Sequence, residues 1–293
     1  MKLLDGKQLA IDIKAELAQE VAAIVASGKR APHLAAVLVG EDPASQVYVR
    51  NKVRSCEQAG FSSTLVKKSA DISEVELLQI IEDLNNDPII DGFIVQLPLP
   101  AHLNEEKVTL AIDPAKDVDG FHPVNMGRMT LGLPCYLPAT PNGIIQILKR
   151  NNIETSGKEV VVVGRSNIVG TPMSILLSRK SEVGNATVTL CHSRTKNLSE
   201  HTKRADILIA SIGRPNTITK DMVKEGVVII DVGINRVDDA SRKRGYRLVG
   251  DVDFEGTGTK ASYATPVPGG VGPMTVVSLL MNTLKANKKE IYG

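Results

Sequence analysis

Apolar residues recur every three to four positions at Leu9, Ile13, Leu17, Val21 and Ile24, which predicts an amphipathic helix over 6–26. The stretch 34–39 is apolar throughout and ends at Gly40, the pattern of a strand buried on both faces. A helix over 43–59 stopped by Gly60, and a weak strand over 63–66, come next. Ser73 and Glu76 make a capping box at the head of a helix over 73–84. A strand over 92–96 is closed by Pro98 and Pro100. Alternating strands and helices imply a parallel α/β sheet.

Between 113 and 142 the pattern lapses into Pro114, Gly120, Pro123, Gly127, Gly132, Pro134, Pro138 and Pro141, the expected domain boundary. A second alternation then begins. Strands are expected over 160–163, 186–190, 205–210 and 227–231, with a helix opening at 171–177. The polar segment 235–251 carries Arg236, Arg242, Lys243, Arg244 and Arg247 and reads as a surface hairpin turning near Gly245. A final helix over 275–285, with Val276, Val277, Leu279, Leu280 and Leu284, is expected to pack back on the first domain. The fold class is therefore α/β with two domains, one formed by 1–140 plus 275–293 and a Rossmann-like one by 141–274.

Composition narrows the function. The chain has 293 residues and a formal charge of +2, without the basic excess of a nucleic-acid binder. Five Tyr, four Phe and no Trp supply few stacking platforms for single strands or sugars. Cys56, Cys135 and Cys191 are odd in number and widely spaced, so no disulfide framework or zinc ribbon is implied. Asp5, Lys7 and Asp12 interrupt any signal-peptide stretch, and no run of 18 apolar residues occurs. A soluble protein of a reducing compartment, with no membrane partner, is expected. The motifs G-x-S-x-G, H-E-x-x-H and G-x-x-x-x-G-K-[ST] are absent.

Candidate chemistry falls in two places. In the second half, the strand VVVV leads into Gly164-Arg165-Ser166-Asn167-Ile168-Val169-Gly170, with Thr171 as a prospective N-cap and Pro172 at the first helical position. A glycine turn before a helix N-terminus is where a pyrophosphate docks. The match to G-x-G-x-x-G is imperfect, because Ser166 stands in place of the middle glycine, and a strand-to-helix turn of any α/β protein fits as well. The following strand ends in Cys191-His192-Ser193-Arg194-Thr195 with no acid for a ribose hydroxyl. Arg165, Ser193 and Arg194 suit a 2′-phosphate instead, so NADP is favoured over NAD.

In the first half, Tyr48 and Lys52 are four residues apart and share a helix face. They fit a proton-transfer site, but spacing alone favours a solvated lysine beside a half-buried tyrosine, because i,i+4 pairs are common on helix surfaces. Gln96 ends a strand in an apolar stretch and needs a partner, a ligand or Lys52. Asp117, Asp119 and His122 do not complete a recognisable metal set, so no metal is expected. The segment Thr265 to Thr275, with three Gly and three Pro, is expected to be a rigid, bare-backbone loop against a planar ligand.

Seven segments in order closely resemble the bifunctional methylenetetrahydrofolate dehydrogenase/methenyltetrahydrofolate cyclohydrolase family: VGEDPASQVYVRNKVRSCEQAG (39–60), GFIVQLPLP (92–100), KDVDGFHPVN (116–125), VVVGRSNIVGTPM (161–173), CHSRT (191–195), DVGIN (231–235) and TPVPGGVGPMT (265–275). The resemblance implies a folate-binding catalytic domain and an NADP-binding domain with a cleft between them. It also implies NADP-dependent oxidation of 5,10-methylenetetrahydrofolate to the 5,10-methenyl cation, then hydrolysis to 10-formyltetrahydrofolate. By family match Lys52 is the catalytic lysine, Gln96 helps set its protonation and Asp119 anchors the pterin. Tyr48 stacks on the folate, and Val95, Leu97, Pro268, Gly269, Gly270, Gly272 and Pro273 line its site. Gly164, Arg165, Ser166, Ile168 and Gly170 hold the cofactor, Ser193 and Arg194 lie by its 2′-phosphate, and Ile234 packs near the nicotinamide. A cytoplasmic homodimer acting on tetrahydrofolates, polyglutamylated forms included, and serving purine biosynthesis is implied as well. Non-catalytic dinucleotide sensing, or a dehydrogenase without the hydrolase step, are the alternatives. The sequence departs from the family at Ala139, often Cys there, and at the longer segment 179–185, expected to be a surface insertion.

Overall fold

The apolar run at 34–39 becomes the strand His33–Val39, central in a three-stranded parallel sheet between Ser62–Lys68 and Gly92–Val95. Ala35, Val37 and Val39 face Leu77, Ile81 and Leu84 of the helix Glu74–Asn86, while Leu34, Ala36 and Leu38 are buried on the opposite face. Burial on both sides is why this strand does not alternate. The edge strand runs Ser62–Lys68, longer at both ends than its weak pattern suggested, because backbone pairing with the central strand extends it.

The computed structural model describes residues 1–242 and 245–292. They divide into two units, Met1–Ala10 with Thr140–Thr275, and Ile11–Ala139 with Val276–Gly293. The first ten residues thus belong with the second half, contrary to the expected grouping with 1–140. The cause is backbone pairing: Lys2–Leu3 is a parallel edge strand on Tyr263–Ala264, and the Lys7 N–H donates to the Gly269 carbonyl at 2.8 Å.

In that unit six parallel strands run in the order Lys2–Leu3, Tyr263–Ala264, Val228–Asp231, Ile207–Ala210, Glu159–Val163, Thr187–Cys191. From Glu159–Val163 the chain moves to one neighbour and then crosses back to the other side, so the strand order reverses there. Ligands dock at the carboxyl ends of strands at such a reversal. An antiparallel hairpin, Asn235–Asp238 with Tyr246–Val249, fills the basic segment, with Gly245 at a φ of 71°. Lys243 and Arg244 lie outside the described residues.

Boundaries also move at the last helix and within the expected loop. The last helix is Val271–Asn287, so Gly272 and Pro273 are in its first turn and not in a loop. A proline is tolerated there because first-turn N–H groups have no partner to lose. The presumed loop 113–142 holds the helix Pro123–Thr130, whose first turn is capped by the His122 imidazole, and the start of Ala139–Arg150. The segment 179–185 folds as a tight turn in which the Asn185 N–H donates to the Arg179 carbonyl at 2.9 Å. No helix among the described residues is long and apolar enough to cross a membrane.

Candidate functional site

The helix Pro43–Gln58 starts where the Asp42 carboxylate accepts the Ser45 N–H at 2.7 Å, which fixes the helix that carries both Tyr48 and Lys52. Lys52 is buried, 8% exposed, and its Nζ donates to Gln96 Oε1 at 3.1 Å. Gln96 Nε2 donates to the Leu97 carbonyl at 2.7 Å, which turns the amide so that its oxygen faces the amine. The partner that the isolated Gln96 required is therefore Lys52. The Gln96 N–H also donates to the Val37 carbonyl at 2.9 Å and continues the ladder one residue past the strand Gly92–Val95.

Asp119 completes the group electrostatically. Burial pushes the Lys52 pKa down, and the Asp119 charge works against that shift. Burial pushes the Asp119 pKa up, and Lys52 opposes it. Burial thus disfavours the charged form of both groups, while each charge favours the other's. Asp119 sits beside the sheet because the Phe93 N–H donates to the Lys116 carbonyl at 3.0 Å, and Gly92 leaves room for Val118. A Cβ on Gly92 would lie 2.1 Å from Val118 Cγ1. A cavity of about 20 Å³, room for one water, is lined by Val95, Leu97, Phe93, Phe121, Asp117 and Asp119. Tyr48 is 41% exposed on the same helix as Lys52.

Asp117, weighed in the sequence as a metal ligand, is a structural acceptor. It takes the His122 N–H at 2.8 Å and Asn125 Nδ2 at 2.9 Å, and burial raises its pKa to about 7 against those bonds. Asn125 Oδ1 in turn accepts the Tyr292 hydroxyl at 2.8 Å. Asn282, of the last helix, donates to the Val118 and Leu137 carbonyls at 2.8 and 2.9 Å, bracketing Asp119. Sequence spacing could not find Asn125 or Asn282, because Asn125 meets the Asp117 and Tyr292 side chains and Asn282 meets main-chain carbonyls remote in the chain. Among the described residues no three His, Cys, Asp or Glu side chains group to hold a metal.

The other unit offers backbone and exposed side chains at the strand reversal. Gly164 has a φ of 121°, and a Cβ there would meet the Ser211 carbonyl oxygen at 2.2 Å. A Cβ on Gly170 would lie 1.9 Å from the Gly164 oxygen. Both positions must be bare for the turn to close against Ser211 and onto the start of its own helix. Thr171 is not the N-cap. The helix starts at Gly170, and Ser166 takes the capping role: its Oγ accepts the Val169 and Gly170 N–H groups at 3.2 and 3.4 Å. Arg165, Ser166 and Ile168 are exposed, and the turn His192–Thr195, closed by Thr195 Oγ1 on the His192 N–H, presents Ser193 and Arg194 outward. Ile234 is exposed and lies 3.6 Å from where a Cβ of Gly272 would stand. Pro268 is exposed, Gly269 partly so, and Gly270 is buried against Thr265 and Pro266.

A doubly wound parallel sheet with a bare-glycine turn, and a separate α/β unit holding a buried lysine, define a two-domain dinucleotide-binding enzyme. The chain belongs to the tetrahydrofolate dehydrogenase/cyclohydrolase family: the catalytic-domain model matches residues 4–119 and the NAD(P)-binding-domain model residues 138–291. It is 62% identical to the bifunctional protein FolD of Cytophaga hutchinsonii, over 98% of this chain and 99% of that one. The crystal structure of FolD methylenetetrahydrofolate dehydrogenase/cyclohydrolase from Campylobacter jejuni superposes with a TM-score of 0.93 at 46% identity, covering 99% of each chain. The Trypanosoma brucei dehydrogenase-cyclohydrolase complexed with NADP and an inhibitor superposes with a TM-score of 0.92 at 36% identity, covering 99% of this chain and 98% of that one.

Proposed function

We propose that this chain oxidises 5,10-methylenetetrahydrofolate to the 5,10-methenyl cation with NADP⁺ and then hydrolyses that cation to 10-formyltetrahydrofolate. The observation that carries it is the buried Lys52 amine hydrogen-bonded to Gln96 within one unit, with Asp119 acting on its charge. The tight glycine turn at Gly164, which runs from a strand end into a helix N-terminus, fits the dinucleotide, and exposed Arg165, Ser193 and Arg194 fit its 2′-phosphate. When bound, the nicotinamide supplies a hydride acceptor.

The chain's own residues then do three things. Asp119 and the main chain near Val95 and Leu97 hold the pterin, and Tyr48 lends an exposed ring face to stack on it. The donor carbon sits between two nitrogens whose lone pairs stabilise the developing cation, so the protein's task in oxidation is orientation. In hydrolysis, desolvation lowers the Lys52 pKa and so favours the neutral amine that can accept a proton, and Gln96 Oε1 holds Nζ in place while the proton moves. The unit with Ile11–Ala139 serves folate chemistry and the unit with Thr140–Thr275 serves the dinucleotide. A cytoplasmic homodimer supplying one-carbon units for purine biosynthesis completes the reading.

The test is direct. Purified protein is mixed with methylenetetrahydrofolate and either NADP⁺ or NAD⁺, and NADPH or NADH absorbance is followed. Reduction of NADP⁺ in preference to NAD⁺ is expected. No reduction with either would leave dinucleotide sensing as the better account.

A further inference from the structure

The loop Ser211–Arg214 follows the strand Ile207–Ala210, which pairs with Glu159–Val163 on the side where the order reverses. Three consecutive main-chain N–H groups of this loop converge on one carboxylate. Asp251 Oδ2 accepts from Ile212 at 2.5 Å and from Gly213 at 2.9 Å, and Oδ1 accepts from Arg214 at 3.0 Å. Asn235 Nδ2 adds a fourth donor to Oδ1 at 2.9 Å. Successive N–H groups of this kind form a nest that in other proteins holds a phosphate. Here the protein's own fully buried carboxylate fills it.

Asp251 is itself fixed from below. Its N–H donates to Asp231 Oδ1 at 3.0 Å, the Val252 N–H donates to Asp231 Oδ2 at 3.0 Å, and Gly233 donates to Asp231 Oδ1 at 2.9 Å. The neighbouring glycines are clearances for these acids. A Cβ on Gly233 would stand 2.2 Å from Asp251 Oδ1, and one on Gly250 would stand 1.8 Å from Asp231 Oδ2. Above, the loop abuts the phosphate turn, because the Ser211 oxygen occupies the space a Gly164 side chain would need. One carboxylate therefore ties together 211–214, the segment around Ile234 and, through Ser211, the turn at Gly164.

We propose that Asp251 is a positioning residue for dinucleotide binding, acting through the main chain of 211–214 and through Asn235. The proposal rests on docking of the cofactor at this sheet edge. Four donors facing the two carboxyl oxygens hold the loop in one conformation, and an amide, which replaces one acceptor with two N–H groups of its own, would repel part of that set. Hydrolysis of added methenyl cation consumes no dinucleotide, so the two activities of the full-length enzyme separate a local role from a general loss of structure.

In Asp251→Asn, the KM for NADP⁺ should rise about tenfold with kcat at saturation within about twofold, the loss of ground-state binding and not of chemistry. Hydrolysis of added methenyl cation should be retained. Asn235→Ala removes one donor of four and should move the same KM in the same direction by less, which keeps the test open if Asp251→Asn does not fold. An unchanged KM for NADP⁺, or parallel loss of both activities in a folded variant, overturns the proposal. Gly164→Val is the control for docking. If it raises the NADP⁺ KM while Asp251→Asn does not, positioning alone fails; if neither raises it, docking at this edge fails too.

Discussion

The two candidate sites of this chain are built on opposite principles. In the unit containing Ile11–Ala139 the chemistry sits on buried side chains: Lys52 is almost wholly enclosed, Asp117 more so, and both have pKa values moved by burial. In the unit containing Thr140–Thr275 the candidate binding groups are exposed side chains, with the buried acids Asp231 and Asp251 hydrogen-bonded to loop main chain. The difference follows from the task. Proton transfer near neutral pH needs an amine that water does not fully solvate. Holding a dinucleotide needs donors and cations that the ligand can reach.

The largest expected effect breaks the first side of this contrast. Lys52→Met should lower hydrolysis of added methenyl cation by about 10²-fold or more, the scale of a lost general acid–base group. Unchanged hydrolysis would remove Lys52 from the chemistry. Gly164→Val should come next, raising the NADP⁺ KM by at least about tenfold through the clash with Ser211, measured by initial rates of dehydrogenation. Hydrolysis should keep most of its rate. Equal damage to both activities would mean that the two sites are not separable in this way.

Gly92→Ala tests whether the sheet sets the place of Asp119. The added methyl would overlap Val118, so thermal or denaturant unfolding should show a loss of about 1–3 kcal/mol, with reduced turnover in the folded fraction. Asp119→Asn tests the electrostatic coupling. Asp119 raises the Lys52 pKa, so its removal lowers that pKa, and the rising limb of hydrolysis against pH should move to lower pH at saturating substrate. A limb that stays in place would show that Asp119 does not act on the amine. The smallest effect is expected for Tyr292→Phe, which deletes the 2.8 Å bond to Asn125 and should cost about 1 kcal/mol of stability without altering the KM for either substrate.

Much of this was legible along the chain. The i,i+4 relation of Tyr48 and Lys52 needed only the helical repeat, and the partner demanded by Gln96 needed only the cost of burying an amide. The strand before Gly164, and the missing acid after the next strand, were equally local. Thr171 as N-cap failed because the helix already begins at Gly170, after a turn in which Ser166 Oγ accepts the Val169 and Gly170 N–H groups, so Thr171 lies within the first turn. The contacts of the first residues were not legible because a two-residue strand carries no periodicity, and only its pairing with Tyr263–Ala264 places it on that sheet. The start of the last helix was hidden by Gly272 and Pro273, residues that punctuate chains in general but are harmless in a first turn.

The sequence by itself determined the alternation of strands and helices, the apolar faces and the family-ordered segments, because these depend on residues near one another in the chain. Tertiary structure alone decided that Lys52 meets Gln96 across 44 positions, that Asn282 brackets Asp119, and that Asp251 fills the nest at 212–214. Each of these is a hydrogen bond between groups far apart in sequence. Such a bond has no period or spacing to read, and its partners are chosen only when the sheets bring them into reach.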